Sequence, residues 1–149
     1  TIATVDCLRG TYEIDAVKLV HDFGTTMNPL IDRGQIEGGL VQGIGWMTME
    51  EIIYNDEGKL LSNALSTYKI PDIYSIPKTL EIKILNTDGN DMAIFKSKAV
   101  GEPPLMYGIG VYFAIRNAVL AFNPGSEISY AAPITPEKVL MALYPDHGK

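Results

Sequence analysis

Residues 97–105 read Ser-Lys-Ala-Val-Gly-Glu-Pro-Pro-Leu, and they hold one carboxylate, that of Glu102, in a constrained stretch of backbone. Gly101 permits backbone angles that other residues avoid, and Pro103 disfavours the right-handed helical conformation at Glu102. A proline also suits the first turn of a helix, where its missing N–H leaves no hydrogen bond unmade. The stretch therefore predicts that Glu102 lies just before a helix N-terminus, with its backbone fixed.

Two helical segments dominate the rest of the chain. Apolar residues at helical spacing predict a helix over 104–122. Residues 30–46 carry a second apolar stripe, which five glycines interrupt: Gly34, Gly38, Gly39, Gly43 and Gly45. Each glycine costs about 0.5–1 kcal/mol relative to alanine inside a helix. We therefore expect this glycine-rich helix to pack backbone to backbone against a neighbour, or to lie against a ligand.

Alternating apolar and polar residues predict strands elsewhere. The predicted strands and hairpins cover 1–8 with 16–22, 51–61 with its turn at 55–58, 79–85, and a short strand at 93–95. Thr135 and Pro136 are typical of the start of a last helix, residues 86–91 are expected to form a loop, and residues 145–149 are expected to fray. We interpret 1–149 as a single domain with an α+β fold, in which antiparallel strand pairs support the two main helices.

Composition narrows the function classes. The net charge of −6 disfavours a nucleic-acid partner, and no uninterrupted apolar run reaches the ~18 residues of a membrane span. With one cysteine, Cys7, and two histidines, the chain has too few ligands for a usual zinc site. A single cysteine cannot form an internal disulfide, which fits a reducing, cytoplasmic compartment. The chain begins inside its first predicted strand, as a fragment of a longer protein would.

The residues alone leave two interpretations of Glu102 open. A carboxylate at a helix N-terminus is stabilised by about 0.3–1 kcal/mol through the helix dipole, which would be a purely structural role. The other interpretation is a catalytic base held by a stiff loop.

The sequence around Glu102 resembles the catalytic loop of the molybdenum hydroxylases, the family of xanthine dehydrogenases and aldehyde oxidases, over all nine residues of 97–105. Residues 34–45, Gly-Gln-Ile-Glu-Gly-Gly-Leu-Val-Gln-Gly-Ile-Gly, resemble the same family. Segments 66–71 and 75–77 do so as well, in the same order. The similarity runs from about Val5 to Leu143, nearly the whole chain.

This resemblance implies a C-terminal lobe of the molybdopterin-binding region of a larger subunit. It implies that Glu102 is the base that deprotonates Mo–OH, which then attacks a ring carbon of a purine such as hypoxanthine or xanthine. It also implies that Gln35 contacts the molybdenum end of the pterin cofactor. Electrons would leave through two [2Fe–2S] clusters to FAD, in other domains or subunits. An aldehyde is the alternative substrate.

Alone, the chain is expected to be inactive and to carry no cofactor, since it supplies one base and one cofactor contact and has no set of cysteines for a cluster. A lobe that normally lies against the rest of a subunit is also expected to self-associate. The competing hypothesis is a non-catalytic α+β interaction domain that binds a partner through its acidic surface. A hydrolase has little support, because no motif places a Ser/His or Cys/His pair.

Overall fold

The computed structural model describes residues 1–85, 87 and 91–145. Its strands are β1 (Ile2–Val5), β2 (Tyr12–His21) and β3 (Thr79–Ile84). Its α-helices are α1 (Pro29–Thr48), α2 (Glu102–Met106), α3 (Ile109–Phe122) and α4 (Pro136–Leu143), and a 3-10 turn covers Ile94–Lys96. The predicted loop at 86–91 and the predicted frayed end at 145–149 lie largely outside the described residues. The α+β class is confirmed: a small mixed sheet carries the helices.

The sheet has the order β1-β2-β3. β1 and β2 form the predicted antiparallel hairpin, but β1 pairs with residues 12–16 rather than with the predicted 16–22. In the turn, the Asp6 side chain accepts hydrogen bonds from the backbone N–H groups of Leu8 and Arg9. β3, however, runs parallel to β2 rather than antiparallel, with Ala16 opposite Thr79. The connection between these two strands is long and contains α1, and a long crossover of this kind is what a parallel pair requires.

Two weaker strand predictions fare differently. The predicted hairpin at 51–61 is reduced to a single bridge between Tyr54 and Leu60, closed by a turn in which Gly58 has φ +78°. The predicted strand at 93–95 is wrong. Phe95 and Lys96 instead have φ of 51° and 58°, and this left-handed backbone is incompatible with an extended strand.

The predicted helix over 104–122 is divided into α2 and α3 at Tyr107 and Gly108. Hydrogen bonds of the i→i−3 type tighten the junction, including Gly108 N–H to the Leu105 carbonyl at 3.2 Å. α2 begins at Glu102, two residues before the predicted helix start at Pro104, so Glu102 lies in the first helical turn rather than just before the helix. Gly101 has φ −82° and ψ −62°, a helical conformation open to any residue, so the structure does not use the backbone freedom of glycine here.

The hydrophobic core lies between α1, α3, α4 and one face of β2. Its fully buried side chains include Leu40, Ile44, Val111, Ile115, Val119 and Val139. Residues 102–122 are long and apolar enough to cross a membrane by length and composition, but a core helix meets the same criteria. Within this stretch Val111, Ile115 and Val119 are buried in the core, and 28% of its apolar window is buried.

Candidate functional site

The N-terminal half of α1 is fixed by its cap. The Asn28 side chain accepts hydrogen bonds from the N–H groups of Leu30 and Ile31, each at 3.2 Å, and satisfies donors that the first helical turn leaves free. One turn further on, the Thr26 hydroxyl donates to the buried carboxylate of Asp32. This start determines which residues of α1 face outward, and Gln35 is among the exposed ones.

Two glycines on α1 allow α2 to approach at backbone distance. A Cβ placed on Gly43 would lie 2.0 Å from the carbonyl oxygen of Leu105, and one on Gly39 would lie 2.9 Å from Cβ of Pro104. From the other side, a Cβ on Gly108 would lie 2.2 Å from the carbonyl carbon of Gly43. The expectation of backbone-to-backbone packing is therefore confirmed, with α2 as the neighbour.

This close approach creates a groove of about 570 Å³ along the N-terminal part of the α1–α2 contact. It is lined by Gly34, Gln35, Gly38, Gly39, Gln42, Gly101, Glu102 and Leu105. The two residues singled out from the sequence, Gln35 and Glu102, are far apart along the chain and meet here. Their segments are adjacent, since a Cβ on Gly101 would lie 3.8 Å from the Gln35 Oε1 atom.

Glu102 is the charged residue of this lining. Its side chain is exposed, and within the described part of the chain its carboxylate takes part in no hydrogen bond or ion pair. The carboxylate is therefore oriented only through the backbone of α2 and of the segment before it.

Gln42 also lines the groove, and the sequence reasoning gave it no role. It lies seven residues after Gln35, which is two helical turns and places both amides on one face of α1. This seven-residue spacing from Gln35 is the sequence pattern that could have identified Gln42 as a groove residue. The groove thus presents two neutral amides, each able to donate and to accept hydrogen bonds.

A second, more apolar groove of about 540 Å³ adjoins the first and shares Gln42 and Leu105 with it. Its other lining residues are Val41, Trp46, Glu50, Ile70 and Pro71. The irregular segment that contains Ile70 is tied to the end of α1, because the Tyr68 hydroxyl donates a hydrogen bond of 2.5 Å to the Glu50 carboxylate. This bond raises the pKa of the Tyr68 hydroxyl.

The first half of the chain matches a known protein family. Residues 2–77 match the family model described as the molybdopterin cofactor-binding domain. The chain belongs to the molybdopterin cofactor-binding domain family. The matched residues include α1 and therefore Gln35, whereas Glu102 lies beyond them.

Individual molybdopterin-domain proteins resemble the chain over almost all of its length. It is 42% identical over 142 residues to a xanthine dehydrogenase/oxidase of Felis catus, a match that covers 91% of this chain and 11% of that protein. The chain thus spans about a tenth of the length of the curated relatives it matches. These matches confirm the resemblance to the molybdenum hydroxylases.

Solved structures of molybdopterin-domain enzymes share the fold. Quinoline 2-oxidoreductase from Pseudomonas putida superimposes with a TM-score of 0.82 at 31% identity, over 93% of this chain and 17% of that one. Aldehyde oxidoreductase from Desulfovibrio gigas gives a TM-score of 0.74 at 36% identity, over 95% of this chain and 14% of that one.

The groove residues fit the cofactor that the family description names. A Cβ on Gly34 or Gly38 would meet no protein atom within 4 Å, so the side chains that these positions lack leave open space at the groove. Glycine lets a flat ligand approach the helix backbone closely, and neutral amides can bond to its polar edge without adding charge. The part of the chain that the structure describes has no group of three His, Cys, Asp or Glu residues placed to hold a metal ion.

Proposed function

We propose that this chain forms one wall of the active site of a molybdenum hydroxylase similar to xanthine dehydrogenase, with Glu102 as the general base. The observation that carries the proposal is the meeting of Gln35 and Glu102 in one groove, each within a segment that resembles this family. In this proposal the chain is the C-terminal lobe of a larger molybdopterin-binding subunit.

The groove residues would have distinct tasks. Gln35 and Gln42 would hydrogen-bond the cofactor through their amides, while Gly34 and Gly38 would leave room for it. When bound, the molybdenum cofactor supplies the redox chemistry of the hydroxylation. Glu102 would take up a proton on a carboxylate oxygen, which requires that oxygen to lie about 2.6–3.2 Å from the heavy atom that carries the proton.

We propose a purine, such as hypoxanthine or xanthine, as the substrate. The supporting observation is the 42% identity to a xanthine dehydrogenase/oxidase. An aldehyde is the second candidate, which the 36% identity to an aldehyde oxidoreductase favours. Reduction of the intact enzyme by xanthine, compared with reduction by an aromatic aldehyde, discriminates between the two.

The remaining parts of the reaction would lie elsewhere. Two [2Fe–2S] clusters and FAD would belong to other domains or subunits, in a cytoplasmic enzyme. The isolated chain should neither bind the pterin stably nor oxidise purines, because the groove is open and small ligands need a largely enclosed pocket.

The isolated chain should also self-associate, since large apolar side chains such as Leu65, Ile73 and Tyr74 are exposed. Sedimentation of a clean monomer at high concentration would contradict this last point.

Replacement of Glu102 by glutamine tests the proposed base in the intact enzyme. Glu102→Gln keeps the shape of the side chain but removes its basicity. We expect the rate at which substrate reduces the metal centre in a single turnover to fall by about 10²–10⁴-fold, the range typical of the loss of a general base. Cofactor content should remain near normal.

The single-turnover measurement bypasses the later electron-transfer steps, so it reports on the proton-transfer step directly. Near-normal reduction in Glu102→Gln would reject the catalytic role and leave only a charge at a helix start, worth about 1 kcal/mol or less. Gln35→Ala is the contrasting variant. It should lower cofactor content or activity without abolishing turnover, because Gln42 remains in the same groove.

A further inference from the structure

We infer that the carboxyl end of β2, residues 21–24, is a positioning element that holds the Glu102 backbone from both sides; this inference rests on the proposed role of Glu102. Asp22, Phe23 and Gly24 contact the segment that enters α2, and His21 contacts the residue that follows α2. We call residues 21–24 the β2 anchor. Its positioning residues act on Glu102 only through the backbone.

The contact upstream of Glu102 is a compact polar cluster. The Lys98 backbone N–H donates to the Phe23 carbonyl at 2.7 Å, and its ammonium group donates to the Asp22 carboxylate at 2.5 Å. Asp22 also accepts hydrogen bonds from the N–H of Gly24 at 2.9 Å and from the Thr87 hydroxyl at 2.6 Å. Three donors from outside the anchor, two of Lys98 and one of Thr87, thus hydrogen-bond to it shortly before Glu102.

The contact downstream of Glu102 uses the neighbouring residue of the anchor. The Nδ1 atom of His21 lies 2.6 Å from the hydroxyl oxygen of Tyr107, the residue that ends α2. His21 is 4% exposed; its ring packs edge-on against that of Tyr107 and is tilted by 45° against that of Phe23. This end of α2 is therefore held from within the protein interior.

The anchor matters because Glu102 has no restraint of its own on its side chain within the described residues. The side chain has several rotatable bonds, so the volume that its carboxylate samples depends on where the backbone of α2 begins. A displacement of about 1 Å in a reacting group can lower a rate by about 10²-fold. Loosening either contact should therefore slow proton transfer while the groove on α1 stays intact.

The test uses the intact holoenzyme with three variants and one matched control. Lys98→Met removes the ion pair but keeps the length of the side chain, Lys98→Arg restores the charge, and Tyr107→Phe removes only the hydroxyl group that reaches His21. The control is Lys18→Met, because Lys18 on β2 forms an ion pair of 2.9 Å with Glu81 on β3, outside the β2 anchor.

We expect Lys98→Met to lower kcat, and the single-turnover rate, by about 10-fold or more with KM and cofactor content nearly unchanged. Tyr107→Phe should produce a smaller decrease of the same kind. Lys98→Arg should recover most of the lost rate, and the control should match the unmodified enzyme. The pH dependence of the remaining rate should keep its midpoint, because positioning alters geometry and not the basicity of Glu102.

Three results would overturn the inference. The first is a normal kcat in both Lys98→Met and Tyr107→Phe. The second is a loss of rate that is fully explained by a lower cofactor content. The third is a shifted midpoint of the pH–rate profile, which would mean that Lys98 acts on Glu102 by charge. If Lys98→Met fails to fold, Tyr107→Phe and Lys98→Arg still decide the question. The proposed base is judged separately by Glu102→Gln: a slow Glu102→Gln with normal anchor variants rejects only the anchor.

Discussion

Two glycine pairs on α1 have the same spacing and opposite surroundings. Gly39 and Gly43 are buried against α2, where an added Cβ on Gly43 would lie 2.0 Å from a backbone oxygen. Gly34 and Gly38 are exposed at the groove, where an added Cβ would meet nothing within 4 Å. One pair thus lets two helices pack closely, and the other faces open space at the groove. Spacing alone does not reveal which role a glycine pair has.

The largest effect should come from the buried pair. Gly43→Ala places a methyl group into the Leu105 backbone, which cannot give way as the end of a flexible side chain could. We expect the free energy of unfolding of the chain to fall by about 3 kcal/mol, the upper part of the usual range for overpacking. Urea unfolding followed by circular dichroism measures this change. An unchanged midpoint would show that α2 does not pack on α1 as described.

The exposed pair should respond in the opposite direction. Gly38→Ala introduces no clash in the chain and removes the conformational cost of glycine, so it should stabilise the chain by about 0.5–1 kcal/mol. In the intact enzyme the same methyl group would project into the groove and should lower the molybdopterin content. A stabilised enzyme with full cofactor content would contradict the role proposed for Gly38.

The matched comparison of Gly34→Ala with Gly38→Ala refines this prediction. Neither added methyl group meets protein in the chain, so both should raise stability by similar amounts. Any difference in cofactor content between the two variants then reports which turn of α1 lies nearer the ligand. Molybdenum analysis of the purified enzymes, normalised to protein, provides the measurement.

The smallest expected effect is on the pH dependence of stability, and it distinguishes the packing of α1 on α2 from the electrostatic contacts of Asp22. Hydrogen bonds from Lys98, Thr87 and Gly24 hold the pKa of Asp22 well below its usual value of about 4. A depressed carboxyl pKa stabilises the folded state above the unfolded pKa, and this contribution is lost as the pH falls below about 4. Asp22→Asn should therefore make the free energy of unfolding fall less steeply as the pH is lowered below about 4.

The loss caused by Gly43→Ala should instead be the same at pH 7 and at pH 5, because the α1–α2 contact consists of backbone and apolar groups. Thermal unfolding measured from pH 7 to below about pH 4 tests both statements. If stability falls with acid equally steeply in Asp22→Asn and in the unmodified chain, the cluster around Lys98 contributes little to stability in solution.

Local patterns in the sequence predicted several elements well. The apolar stripe predicted α1 despite its glycines, alternation predicted β1, β2 and β3, and Thr135 with Pro136 predicted the start of α4. These predictions succeed because the determining interactions lie within one helical turn or one strand. The nine residues around Glu102 likewise identified the family without any structure.

Long-range contacts decided the rest. The parallel pairing of β3 depends on a crossover of more than fifty residues, which no local pattern encodes. The division of the 104–122 helix follows from the contact of Gly108 with Gly43. Conversely, Gly101 looked conformationally special in its Gly-Glu-Pro-Pro context and has an ordinary helical backbone.

The sequence by itself determined the family, the two candidate site residues and the α+β class, because each depends on residue types within short windows. The tertiary structure alone decided that Gln35, Gln42 and Glu102 share one groove. It also decided which glycines face α2 and which face open space, and that residues 21–24 contact both sides of α2. Those facts depend on how two distant helices and a strand end pack together, and packing is a property of the whole chain.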